Sequence, residues 1–123
     1  MSIDQLTEYA KNGQLVLHLD DAAFDKLISA CDGYMDALRD LKQDAAALSR
    51  YPLGLAEDKL ASGRALSDAF QRKADGGGST SASGTFQSHK DQVEAMKTLF
   101  VALRSAYRST EQNNVANLQG HGR

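Results

Sequence analysis

The side chains able to do metal, acid–base or nucleophilic chemistry are few and scattered along the chain. The histidines are His18, His89 and His121, and the single cysteine is Cys31. A zinc site needs three or four His, Cys or carboxylate ligands at close spacing, and a di-iron bundle needs Glu-x-x-His pairs. The sequence has neither, and it has no His-Glu-x-x-His run. Only Asp91 stands near His89 at metal spacing, so His89 reads as a histidine at the edge of a core. Cys31 falls among apolar residues at helical spacing, which suits a packed small hydrophobe better than a nucleophile. A lone cysteine cannot build an internal disulfide framework. No Gly-x-Ser-x-Gly elbow is present. The run from Gly76 to Gly84, Gly-Gly-Gly-Ser-Thr-Ser-Ala-Ser-Gly, lacks the strand before it and the Gly-Lys-Ser or Gly-Lys-Thr after it that a phosphate-cradling loop requires. It reads as a flexible linker over 76–84 that buries nothing. These residues predict no enzyme, no cofactor and no metal.

Charge narrows the partners. Lys and Arg number 14 against 16 Asp and Glu, a formal net charge of -2. A chain so balanced has no electrostatic reason to seek nucleic acid or an anionic membrane surface. The one basic row, Lys90, Lys97 and Arg104 with Arg108 a turn further, is interspersed with Asp91, Glu94 and Glu111, which repel phosphates. It reads as a salt-bridge stripe flanking an apolar seam and selecting a partner helix; a small DNA-associated protein is the lesser reading. No window approaches the roughly 18 apolar residues of a membrane span. The opening Met-Ser-Ile-Asp-Gln-Leu-Thr-Glu lacks the basic and apolar regions of a cleavable signal peptide, so a cytoplasmic location or another route of export is expected.

The elements that must carry these residues are helices. Residues 1–19 read as an N-terminal packing arm, with Leu6 and Tyr9 able to start a short helix, a turn at Asn12-Gly13 and an extended run from Leu15 to Leu19. Asp20 or Asp21 can cap a helix over 21–50. Its apolar residues Phe24, Leu27, Cys31, Tyr34, Leu38, Leu41, Ala45 and Leu48 alternate steps of three and four, an unbroken a/d heptad seam. Ile28 and Met35 at e and Ala30 and Ala37 at g widen the stripe beyond what one neighbour covers. Tyr51-Pro52-Leu53-Gly54 ends the helix. A shorter second helix is predicted over 56–74, with Leu60, Leu66, Ala69 and Phe70 as its apolar edge. A third is predicted over 86–118, capped by Thr85, on the row Phe86, His89, Val93, Met96, Phe100, Leu103 and Tyr107. Residues 119–123 should fray.

The predicted fold is therefore all-α, an antiparallel helical hairpin with an extra shorter helix in one helical domain over 1–123. Exposed apolar stripes of this width cost several kcal/mol at roughly 25 cal/mol per Å², so a four-helix-type bundle completed by dimerisation is expected. Phe24, Leu27, Ile28, Tyr34, Met35, Leu38, Leu41, Val93, Met96, Phe100 and Leu103 would form the interface with a helical partner, in a homodimer or a heterodimer.

Three stretches carry a resemblance to a known family: Leu53-Gly54-Leu55-Ala56, then Ser62 to Phe70, then His89-Lys90-Asp91-Gln92-Val93-Glu94-Ala95-Met96. Together they resemble small actinobacterial proteins of the ESX type, substrates or accessory proteins of type VII secretion related to the WxG helical-hairpin family. The likeness runs over about residues 20 to 115. Its most specific point is Tyr107-Arg108-Ser109-Thr110-Glu111, which looks like the family's Tyr-x-x-x-Asp/Glu export signal near the end of the last helix. By resemblance Tyr107 is the aromatic anchor and Glu111 the acidic one, and a spacing of four puts both on one helix face. The chain departs from the family in having no tryptophan, so the Trp-x-Gly turn is replaced by Tyr51-Pro52-Leu53-Gly54, and in its Gly/Ser insertion at 76–84. The resemblance implies a secretion substrate or secretion-partner protein that acts through helix pairing, recognised by type VII machinery. A cytosolic chaperone or adaptor covering the helical region of a larger effector would use the same seams without Glu111.

Overall fold

A computed structural model describes residues 2–76 and 78–121. It is all-helical, with no strand among the described residues: α1 spans Ile3–Lys11, α2 Asp21–Leu48, α3 Ala61–Ala74 and α4 Ala82–His121. Contacts gather into two compact units, Met1–Gly33 with Val93–Arg123, and Tyr34–Gln92.

In the first unit the arm is more ordered than its composition suggests. Ser2 and Gln5 close a capping box on α1, the Ser2 hydroxyl accepting from the Gln5 N–H at 3.2 Å and the Gln5 side chain accepting from the Ser2 N–H at 2.9 Å. The chain turns at Gly13, whose φ of 76° suits glycine. It then runs extended to Asp20, which caps α2 by accepting from the Ala23 N–H at 2.8 Å. Ala10, Phe24, Ala102 and Leu103 form the core of this unit, with Leu15, Leu19, Leu99, Phe100 and Tyr107 packed against it.

Three ion pairs set the register of the long helices there. Asp21 meets Arg108 at 2.9 Å, Asp25 meets Arg104 at 2.7 Å and Asp32 meets Lys97 at 2.6 Å. Steps of four and seven forward along α2 match the same steps backward along α4, so the helices are antiparallel. The basic row thus is a flanking stripe, as its spacing predicts, but Lys97, Arg104 and Arg108 spend it on the chain's own α2 rather than on a partner. The physical reason is that α2 carries aspartates at the complementary steps.

In the second unit Lys42 on α2 donates to the Gln87 side-chain oxygen on α4 at 2.8 Å. Three sequence expectations need correction here. The shorter helix begins at Ala61, not 56. Ala56 sits at a φ of 59°, and the Glu57 carboxylate accepts from the Leu53 and Leu55 N–H groups at 2.8 and 3.2 Å, which stabilises a turn in place of a helical start. The last helix begins at Ala82, not after Thr85, because the Ser81 hydroxyl accepts from the Gly84 N–H at 3.1 Å. The Gly/Ser run also buries surface. A 3-10 turn spans Gly78–Thr80, and Ser81 and Ser83 are 1% and 4% exposed. Ser83 donates to Asp75, and Ser81 donates to the Gly78 carbonyl at 2.8 Å. Gly84 lies so close to Gly78 that a Cβ there would come within 2.1 Å of its carbonyl oxygen. Gly77 within the predicted linker lies outside the described residues, as do Gly122, Arg123 and the side chains of 119–121, where fraying is expected.

Candidate functional site

Tyr107 and Glu111 lie one turn apart on α4. The Tyr107 ring is half-buried against the first unit's core, tilted over Phe24 with centroids 6.0 Å apart. Glu111 is exposed, and from Arg108 to Leu118 every side chain of α4 is exposed. Glu111, together with burial and the carboxylates of Asp21 and Asp20, raises the Tyr107 pKa above the usual tyrosine value. The physical cause is that a phenolate would sit among negative charges. Like any tyrosine well below about pH 10 the phenol is neutral and can offer an O–H to an acceptor, while Glu111 offers a carboxylate one turn further out.

The expected partner residues divide by burial. On α2 every a position is buried: Phe24, Cys31, Leu38 and Ala45 are 0%, 7%, 4% and 6% exposed. Of the four d positions, Tyr34, Leu41 and Leu48 stand 52%, 45% and 56% exposed, and only Leu27, nearest the helix start, is partly covered. Leu27, Ile28 and Met35 are intermediate. On α4 Val93 and Leu103 are buried, Phe100 is intermediate and Met96 is exposed. Phe24, Leu38, Val93 and Leu103 are thus taken up by the chain's own packing and present no surface to a partner; Tyr34, Leu41 and Met96 do.

Sequence reasoning left further exposed apolar residues out of the interface. Leu48 continues the α2 row, Tyr51 stands 66% exposed just past the end of that helix, and Leu66 and Phe70 stand 50% and 57% exposed on α3. Their signal is the heptad d spacing for Leu48 and the step of four between Leu66 and Phe70. His89, expected at a core edge, is exposed. Cys31 is buried, and burial first, then Asp32, pushes its thiol pKa up, with Lys97 opposing. Among the described residues no three His, Cys, Asp or Glu side chains gather as metal ligands would. None of the described helices is long and apolar enough to cross a membrane.

No family model, curated protein or solved structure matches the chain.

Proposed function

We propose that the protein is a small helical substrate or secretion-partner of a type VII (ESX) system, acting by helix-bundle pairing and by presenting Tyr107 and Glu111 to the export machinery. The observation that carries this reading is the placement of the pair. Glu111 projects from a stretch of α4 whose neighbours are all exposed, and Tyr107 is anchored one turn earlier on Phe24. A receptor reading a phenol and a carboxylate from one side would meet them at a fixed spacing. The antiparallel pairing of α2 and α4 supports the same reading, because it is the arrangement the family resemblance implies. The missing Trp-x-Gly turn suits the subunit of a pair that brings the C-terminal signal.

Export from a type VII-competent host tests the proposal. Glu111→Gln keeps the shape and removes the charge; Tyr107→Leu keeps apolar volume over Phe24 and removes the phenol. Each should cut the amount in culture filtrate by about tenfold or more, the loss expected when a central recognition contact worth about 1.4 kcal/mol or more is removed. The far-UV helical spectrum should be unchanged. Undiminished export of both variants overturns the reading, and stable retention in the cytosol on a larger effector would favour the chaperone alternative.

A further inference from the structure

The exposed row of α2 has a counterpart on α3. That helix packs through its small residues, with Gly63 buried and Ser67 3% exposed, and turns Leu66 and Phe70 outward. Gly63 permits the inversion because the α3 backbone passes the Leu55 carbonyl so closely that a Cβ would stand 2.0 Å from it. Gln71 donates to the Tyr51 carbonyl at 3.0 Å, which brings the Phe70 turn beside the segment where the α2 row ends. Both rows lie in the same unit.

We propose that the Tyr34–Leu41–Leu48 row of α2 docks on the Leu66–Phe70 face of α3 in a second copy of this chain, twice over about a two-fold axis. Area and charge both point to that occupant. Tyr34, Leu41, Leu48, Tyr51, Leu66 and Phe70 are between 45% and 66% exposed. At roughly 100 Å² each they offer on the order of 600 Å² over the two faces, most of the ~800 Å² per partner that a stable interface covers.

The charges are complementary and unspent. In the first unit the α4 cations Lys97, Arg104 and Arg108 are all paired within the chain. In the second, Asp44 lies in the α2 row between Leu41 and Leu48 with no cation at ion-pair distance among the described residues. Lys73, one turn past Phe70 on α3, has no carboxylate at that distance among them either. An acid-bearing row thus faces a base-bearing one when α2 of one copy meets α3 of the other, and two-fold symmetry makes the match twice. This inference does not depend on the export reading, whose residues lie in the other unit.

Sedimentation equilibrium of the full chain from about 1 to about 100 µM tests it, a range that brackets micromolar association. The wild type should reach twice the monomer mass. Leu48→Asp and Phe70→Asp, both at exposed sites, should keep the helical spectrum and remain monomeric. Asp44→Lys and Lys73→Glu should each weaken association about tenfold. Mixing those two variants in equal amounts should restore it, since the mixed dimer has one native junction and one with both charges reversed. A wild type that is monomeric throughout, a dimer indifferent to Leu48 and Phe70, or charge variants that do not rescue one another would each overturn the proposal.

Discussion

Phe24 and Tyr107 face each other obliquely between the start of α2 and the later part of α4, their ring planes tilted by 48°. Phe24 is fully buried and Tyr107 half-buried, so one aromatic contact belongs both to the core and to the candidate site. Changes at Tyr107 are therefore felt in stability as well as recognition, whereas Glu111, exposed beyond the packed region, can be changed for recognition alone.

Phe24→Ala should cost about 3–5 kcal/mol, because it removes an aromatic ring enclosed by Ala10, Ala102 and Leu103 and leaves a cavity. Leu41→Ala, on the exposed row, should cost less than about 1 kcal/mol in the monomer. Urea unfolding at low protein concentration compares the two; equal costs would contradict the division of the α2 seam into an inner and an outer row.

Two helical glycines should respond in opposite directions. Nothing lies within 4 Å of where a Cβ would stand on Gly33, and Gly33→Ala should stabilise the protein by about 0.5–1 kcal/mol through helix propensity. At Gly63 the same change sets a methyl against the Leu55 carbonyl at 2.0 Å, so Gly63→Ala should destabilise and displace α3 from the preceding turn. Thermal melts of the two variants check both signs.

Tyr107 should titrate above the ordinary tyrosine range, with Glu111 as the largest cause. A folded-state pKa raised above the unfolded value means the folded chain holds the phenolic proton more tightly. The associated stability is complete below about pH 10, the unfolded value, and is lost as pH climbs through the folded pKa. Tyr107→Phe should remove that part of the alkaline loss, and Glu111→Gln should move the phenolate absorbance transition of Tyr107 downward. A transition unmoved by Glu111→Gln would show that the two side chains do not share a field.

The pair of Asp25 and Arg104 should couple weakly. Its side chains are 58% and 23% exposed, so a double-mutant cycle to alanine should give about 0.5–1 kcal/mol at low salt and less at high salt. A coupling that ignores ionic strength would argue that Arg104 contributes through packing alone.

Much of this fold was legible in residue spacing. The three–four steps from Phe24 to Leu48 and from Phe86 to Tyr107 marked the two long helices, and Asp20 stood ready as a cap. Heptad spacing finds the apolar side of a helix but not how much of it one neighbour covers, so the separation of Leu38 and Ala45 from Leu41 and Leu48 needed the partner helix in place. The α3 start was hidden because Glu57, a good helix former, uses its carboxylate on Leu53 and Leu55 N–H groups instead. Composition misled at Ser81 and Ser83, small polar residues that are buried because Asp75, Gly78 and Gly84 satisfy their hydroxyls. At the candidate site the Tyr107–Glu111 spacing was readable. The seat of Tyr107 on Phe24 was not, because it follows from the register that the Asp–Arg and Asp–Lys steps of four and seven impose.

The most direct measurement of the proposed role is the amount of chain in culture filtrate of an actinobacterial host with an intact type VII system, against the same host lacking that system's ATPase. The chain should appear outside the cells only when the ATPase is present, with a cytosolic marker absent from both filtrates. Equal amounts in the two filtrates, or retention in the cells of both, would contradict the account.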